Sequence, residues 1–593
     1  MGENEIEHVG SGEIGGKARG FLRLTRAVRE RVRRFDGQDY ASVLAFPETK
    51  IVTTSVFREF LAFNGLEEAA RAVESGRESD YDALQAKFRE GGFPERTRNE
   101  LAASVLRIEG PLAVRSSSLL EDQKRASFAG KYESVFVVPR GEERERLDQL
   151  LQGMKAVYAS TFNPSALAYR RNRGLLDAHE EMALLVQEVV GRAYRHYWLP
   201  AMAGVGFSQN GYCWNDEMRK KDGLVRLVFG MGTRAVGRGY VRLFSPAKPL
   251  LRPEGVEVNN IQKCSQKNVD VIDLEDRSLK SVHFRELITD GFECYPGAQA
   301  MVSLRDGNYL YRPVSHVWDA SHVPVLTMDG VLAGSWMNLD LPGTLGWLLR
   351  DLEAALGFAV DVEFAVDVDP KAKTAKVYPL QARPLAEGEE HKLHPIPKLD
   401  EPDVVFSTRR SLPTAFVPDI EYLVYVDEDV YHSWPYNDRQ GVARVVGKVT
   451  EALRGKRFAL VGPGRWGSWN PQLGVPVKYA EIAGTLMLVE VARRRATYAP
   501  EVSYGSHFFQ DLIEDNVAYL PLYPDEPNEV FNEAFLHGQS ELPRLLPDQY
   551  YRRYDRLIRV VHVPSIAGGR RAHAILNGEL EAAVVFVADR APG

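Results

Sequence analysis

Residues 111–134 read PLAVRSSSLLEDQKRASFAGKYES. A short apolar strand (Leu112, Ala113, Val114) runs into Arg115, a cluster of three serines, two acids and a glycine turn. Arg115 stands at the strand exit, and Ser116, Ser117 and Ser118 offer hydroxyls and amides where a helix could begin. An anion would suit this point: a guanidinium presents a planar fork to phosphate oxygens, and unpaired amides at a helix start add fixed positive potential. A purely structural reading stands beside this one. Ser118-Leu119-Leu120-Glu121 also fits a capping box, in which serine and glutamate satisfy orphan amides reciprocally.

Over its whole length this block resembles the VRSS…ED…SFAG…E block of the nucleotide-binding domain of the phosphoenolpyruvate synthase and pyruvate phosphate dikinase family, a relative of the ATP-grasp fold. The resemblance implies that Arg115 meets the phosphates of ATP. It also implies that the turn Ser127 to Gly130 belongs to a flexible cover over the nucleotide.

The chain has 593 residues, 44% hydrophobic and 26% charged, with a formal net charge of -7. That length suggests two to four domains of ordinary globular composition. The acidic balance excludes a general nucleic-acid binder, whose footprint is a net basic domain or stripe. Three widely spaced cysteines, Cys213, Cys264 and Cys294, support neither a disulfide framework nor a zinc site. No basic-then-apolar leader opens the sequence and no apolar run is long enough to span a bilayer, so a cytoplasmic protein is expected.

Near the start, Gly15-Gly16-Lys17 precedes an amphipathic helix with Phe21, Leu24, Val28 and Val32 at spacings of three and four. Glycines there let the backbone approach a ligand closely, and Lys17 can reach a phosphate. The block resembles the GGK that opens the same family domain, and FPETKIVTTSVFREFL after it resembles the family's next strand and helix. Residues 66 to 108 read as charged supporting helices. The continuous apolar run Met182 to Gly191 reads as a buried strand, in which Gln187 and Glu188 need polar partners. A strand end turning into solvent would satisfy them; so would an adenine edge, and the likeness to the family's VQ-x-V hinge implies Gln187, Glu188 and Val189 for that contact. Phe229 to Gly239 is a glycine-rich loop, placed as the family's nucleotide-approaching loop is, with Thr233 and Arg234 where an acid is usual. Asp222, Asp270, Asp273 and Asp276 lack metal-ligand spacing and read as surface residues.

The clearest period-two pattern is Val360 to Asp369, VDVEFAVDVD, followed after a turn at Pro370 to Thr374 by VYPLQARPL. If the two strands pair as a hairpin with apolar faces matched, one allowed register sets Glu363 opposite Gln381 and Asp361 opposite Arg383. Such cross-strand charges are often only modestly stabilising. The same face could hold a metal nucleotide, since carboxylates suit magnesium and arginine forks phosphate. The pair resembles the family's closing acid and L-Q-x-R-P signature. That implies Glu363 and Gln381 for Mg-ATP, including the metal, and Arg383 for the phosphates.

Residues 1–388 are therefore expected to form an α+β, ATP-grasp-like nucleotide-binding region, and 389–404 a polar, proline-bearing linker. A smaller C-terminal α/β domain is expected over 405–593. The swivelling histidine domain and the barrel of the dikinase architecture are not recognisable, and the remaining stretch is shorter than the about 200 residues such a barrel needs. Instead Arg457 to Val461 reads as a buried strand, Gly462-Pro463-Gly464-Arg465-Trp466-Gly467-Ser468 as a loop, and about Tyr479 to Arg494 as an apolar helix. A ligand is expected outside the strand's carboxyl end, at Arg465, Trp466 and Ser468. His507, in GSHFFQD, is either a phosphate acceptor or general base, or a packed histidine among aromatics.

The function expected from this reading is ATP-dependent phosphotransfer with ATP and Mg2+, using Arg115, Arg383 and His507 in catalysis and Lys17 on phosphate. The acceptor is left open between a small molecule at the Arg465 loop, His507 itself, and a histidine on another protein. Nucleic acid and membrane are not expected partners. The alternatives are an ATP-grasp ligase working through an acyl phosphate, and a nucleotide-sensing module without turnover.

Overall fold

The computed structural model describes residues 6–590 apart from 33–39, 76–80, 122–130, 173–174, 176–179, 211–217, 237–239, 290–294, 296, 315–321, 386–393, 398, 400, 410–413, 469, 483, 494–501, 505–506 and 528. The fold is α+β, and the chain divides into two compact units. One comprises Met1–Ser208, Val225–Ala235 and Gln266–Leu385; the other comprises Gln209–Leu224, Val236–Ser265 and Ala386–Gly593. No helix among the described residues is long and apolar enough to cross a membrane.

In the first unit, Met182–Glu188 forms the middle of a five-stranded sheet with order Glu7–Val9, Thr49–Val52, Met182–Glu188, Leu112–Ser118, Ser134–Val137. Six of its seven residues are buried, which is why this run is apolar throughout rather than alternating. A core of helix and strand residues, including Phe57, Phe60, Leu150, Met154 and Tyr158, packs against this sheet. A second sheet sets Leu224–Phe229, Met202–Phe207, Val360–Asp369 and Thr374–Pro384 side by side. The helix Gly15–Val32 touches both Leu112–Ser118 of the first sheet and Thr374–Pro384 of the second. Its start lies hard against the first sheet: a Cβ at Gly15 (φ +72°) would sit 1.6 Å from the Ser117 carbonyl oxygen, so only glycine fits.

That contact corrects the reading of the serine cluster. Leu112–Ser118 is strand to its last residue, so no helix starts within it. The Ser117 hydroxyl does cap a helix, but one about 100 residues earlier: it accepts from the Ala18 amide at 3.0 Å and donates to the Ile14 carbonyl at 2.8 Å.

In the second unit, Ala518–Leu522, Met487–Val491, Phe458–Pro463 and Tyr422–Val426 form a parallel run, with Ile558–His562 added antiparallel at the end. One face packs on an antiparallel sheet of Ala415–Ile420, Arg571–Asn577, Ala582–Ala588, Val404–Thr408 and Val530–Phe531. The core between them is apolar, with Leu423, Val461, Val489, Leu520, Ala574 and Val585. The apolar helix expected over Tyr479 to Arg494 is absent. Tyr479–Ile482 is a single 3-10 turn and Met487–Val491 an inner parallel strand, separated by Gly484 at φ +84°. A strand with neighbours on both edges and both faces buried suits a mainly apolar run without helical period, and MLVEV supplies four apolar residues of five.

Candidate functional site

The hairpin Val360–Asp369 and Thr374–Pro384 pairs in the register that the apolar alternation allows: Asp361 opposite Arg383, Val362 opposite Ala382, Glu363 opposite Gln381. A bulge between Glu363 and Phe364 shifts the ladder immediately afterwards, re-aiming the strand beyond that residue. From the other sheet, Arg115 reaches across to this face. Its Nη2 donates to Glu363 Oε2 at 2.8 Å and to Gln381 Oε1 at 2.7 Å, while Nη1 donates to Gln187 Oε1 at 3.3 Å. Arg383 donates through Nε to Asp361 at 2.9 Å, and this pair is almost fully enclosed, with side-chain exposures of 6% and 1%. Arg115 and Glu363 keep 15% and 24% of their side chains in solvent. The inner ion pair is thus a fixed support and the outer one stands at the mouth.

Burial pushes the Glu363 carboxyl upward, but the charges of Arg115 and Arg383 and the Arg115 hydrogen bond, with a smaller contribution from Lys17, override it and bring it down to about 2. Glu363 is therefore ionised at any working pH. Lys17, in the first turn of its helix, donates to Ser116 Oγ at 2.8 Å and to Glu121 at 2.6 Å. Glu121 is 1% exposed and also accepts from the Ser118 amide at 3.1 Å. The capping-box glutamate thus makes its expected backbone bond, and beyond that serves as counter-ion to a lysine distant in sequence. Below it, Glu180 accepts from the Tyr132 hydroxyl at 2.7 Å and from the Leu119 amide at 3.1 Å. Its burial raises it to about 7, against the lowering effect of the Tyr132 bond.

The protein family described as "Pyruvate phosphate dikinase, AMP/ATP-binding domain" matches residues 11–403, which contain the whole of this cluster. The chain belongs to this family. It is 28% identical over 196 residues to an uncharacterized phosphotransferase of Bacillus subtilis, covering 32% of this chain and 20% of that protein. It is 29% identical over 187 residues to a phosphoenolpyruvate synthase of Pseudomonas aeruginosa (29% and 21%), and 27% identical over 196 residues to a rifampicin phosphotransferase of Streptomyces (31% and 20%). The chain spans about a fifth of the length of these curated relatives.

Within the family domain, the residues around the strand Met182–Glu188 are already well partnered. The Gln187 amide group donates to Thr49 Oγ1 at 3.3 Å, and the Glu188 carboxylate accepts from the Glu48 amide at 3.1 Å. The amides of Glu188 and Val189 donate to the carbonyls of Glu48 and Pro111, both at 2.9 Å, and the Val189 carbonyl takes the Trp198 indole N–H at 2.9 Å. Val189 joins Val138, Met231 and Ile272 in a small apolar cluster. In the glycine-rich stretch, Thr233 and Arg234 are both tied to Asp270: Thr233 Oγ1 at 2.9 Å, and Arg234 through Nε at 3.1 Å and Nη2 at 2.9 Å. Gly237 to Gly239 lie outside the described residues, as does the turn Ser127 to Gly130. Asp270 and Asp273 are not the idle surface acids expected. Asp270 anchors that loop, and the nearly buried Asp273 accepts from Lys280 and from the amides of Glu275 and Asp276. The Asp270 bonds join residues far apart in sequence, which local spacing does not reveal, whereas Asp273 caps its own turn through the amides of Glu275 and Asp276 and takes Lys280 from the paired strand.

The C-terminal loop residues expected to present a ligand site turn inward instead. Arg465, Trp466 and Ser468 are at most 1% exposed. The loop is held by Glu490, the one acid in MLVEV, which is itself fully enclosed. Its Oε1 accepts from the Trp466 amide at 2.8 Å and the Ser503 hydroxyl at 2.5 Å; its Oε2 accepts from the Ser503 amide and the Tyr519 hydroxyl, each at 2.6 Å. Burial raises the carboxyl to about 7, outweighing these four donors. The side chain of His507 lies outside the described residues, although its backbone begins the helix His507–Glu514.

Proposed function

We propose that the protein binds Mg-ATP across the Arg115–Glu363–Gln381 cluster and transfers a phosphoryl group from it. One observation carries this reading. Side chains from three segments far apart in sequence, Lys17, Arg115 and the 361–383 hairpin, converge on one half-open face where two cations and an ionised carboxylate meet. Phosphoryl transfer asks little covalent chemistry of a protein and much positioning of charge, which is what such a face supplies.

Lys17, Arg115 and Arg383 are assigned to the phosphates, and Gln187, Glu188 and Val189 to the adenine end, beside the apolar cluster of Val138, Met231 and Ile272. The donor chemistry fits magnesium: a carboxylate and an amide oxygen face one point between strands, and a single nitrogen of Arg115 now lies within 2.8 Å of both. Magnesium is commonly held by one or two carboxylates together with substrate phosphates. When bound, it would neutralise charge developing on the phosphate oxygens. Arg115 would then exchange Glu363 for phosphate, whereas Arg383, locked to Asp361, and Lys17, locked to Glu121, stay placed.

The test is incubation of the purified protein with Mg-ATP labelled separately at the β and γ phosphates, with and without a dialysable extract as acceptor source. The reading expects label to leave ATP for protein or small molecule, with loss of transfer in Glu363→Gln. AMP with β-label on the acceptor would specify dikinase-like chemistry. ADP with an amide or thioester product would favour ligation. ATP bound but unconsumed under every condition would contradict transfer and favour a sensor.

A further inference from the structure

One cavity of the second unit owes nothing to the nucleotide reading. It is a half-open groove of about 520 Å³ between the helix Arg439–Ala452 and the turns Tyr479–Ile482 and Gln549–Tyr554. That volume lies within the usual range for a small-molecule site. Two glycines on the helix let the facing turns approach it closely. A Cβ at Gly441 would come within 2.9 Å of the Tyr554 hydroxyl, and one at Gly447 within 3.1 Å of the Glu481 side chain.

The charges along its walls do not cancel. Lys448 is paired with Glu451 at 2.9 Å, and Glu481 accepts the Lys478 amide at 2.7 Å. Arg444 and Arg454 line the same groove, and neither guanidinium makes a hydrogen bond or ion pair with any described residue. Opposite them stands an aromatic wall. Arg553 lies 4.7 Å over the Tyr550 ring and 4.8 Å over the Tyr554 ring, and donates to both hydroxyls at 3.0 and 2.8 Å. Tyr551 adds a second ring at right angles to Tyr550, 5.2 Å away. The stacked guanidinium holds Tyr550 in place although half of that residue is exposed.

We propose that this groove is a binding site for a small organic anion with a ring or other apolar body, its charge met by Arg444 and Arg454 and its body by Tyr550 and Tyr551. Two free guanidiniums suit one or two negative charges. The acids Glu451 and Glu481 on the same walls, with the acidic chain as a whole, disfavour a polyanion such as nucleic acid.

The probe is 1-anilinonaphthalene-8-sulfonate, an aromatic monoanion, titrated into the 593-residue chain and followed by fluorescence. The proposal expects one saturable site that saturating Mg-ATP does not displace. R444A/R454A should weaken it at least tenfold, and K456A, an exposed cation outside the groove, should leave it unchanged. Y551A should weaken binding without changing its dependence on salt, since it removes ring contact rather than charge. Wild-type affinity in R444A/R454A, equal weakening by K456A, or no saturable binding to the wild type would overturn the proposal.

Discussion

Two carboxylates, Glu363 in the first unit and Glu490 in the second, each sit at the centre of a hydrogen-bonded cluster, yet their environments push them in opposite directions. Glu363 is answered by full charges and is held down at about 2. Glu490 is answered by amides and hydroxyls in a sealed interior and is raised to about 7. Charged partners at a half-open face can be exchanged for a ligand's charges. Neutral donors in a closed interior cannot, and they fasten a loop instead. The first arrangement suits binding and the second suits structure, although both clusters look alike as lists of polar residues.

The sharpest way to break this contrast is to neutralise each centre. Arg115→Ala and Glu363→Gln should each reduce nucleotide turnover by about 10² to 10³-fold, the scale of removing a preorganised electrostatic group, as read from consumption of labelled ATP. Glu490→Ala should leave Mg-ATP binding within about twofold but cost about 3 kcal/mol of stability, since it orphans four buried donors. Urea unfolding measures that cost.

The pH dependence sharpens the same comparison. Between about 4.5, the ordinary value, and about 7, folded Glu490 keeps a proton that the unfolded chain has lost. Its contribution is therefore fully present below about 4.5 and is lost as pH rises through 7. Glu180 has the same sign. Glu363 has the opposite one: its contribution is present above 4.5 and is lost as pH falls toward about 2. The thermal midpoint of Glu490→Gln, relative to wild type, should improve from pH 5 to pH 8. An unchanged difference would show that Glu490 does not titrate there. The smallest expected effect is that of Asp270→Asn, which loosens Thr233 and Arg234 and should raise the KM for ATP about fivefold to tenfold while leaving kcat near wild type.

Much of the first unit was legible because its decisive elements have simple periods. Val360 to Asp369 alternates strictly, so its pairing partner and register followed from matching apolar faces, and the register placing Glu363 opposite Gln381 is the one observed. Met182–Glu188 was readable as a buried strand from its unbroken apolar run. The same kind of run misled at Tyr479 to Arg494, because a continuously buried segment has no period to separate strand from helix. Long-range capping was invisible for another reason. The bonds from Lys17 to Glu121 and from the Ala18 amide to Ser117 span about 100 residues, and local spacing carries no trace of them. Arg465, Trp466 and Ser468 show a third limit: residue type announces chemistry, but which way a loop turns depends on what lies beneath it, here Glu490.

The most direct measurement is a calorimetric titration of Mg-ATP into the wild type, Arg115→Ala and Glu363→Gln. The account predicts one saturable site in the wild type and affinities at least about 100-fold weaker in both variants. Wild-type affinity in both variants, or no ATP binding by the wild type, would contradict it.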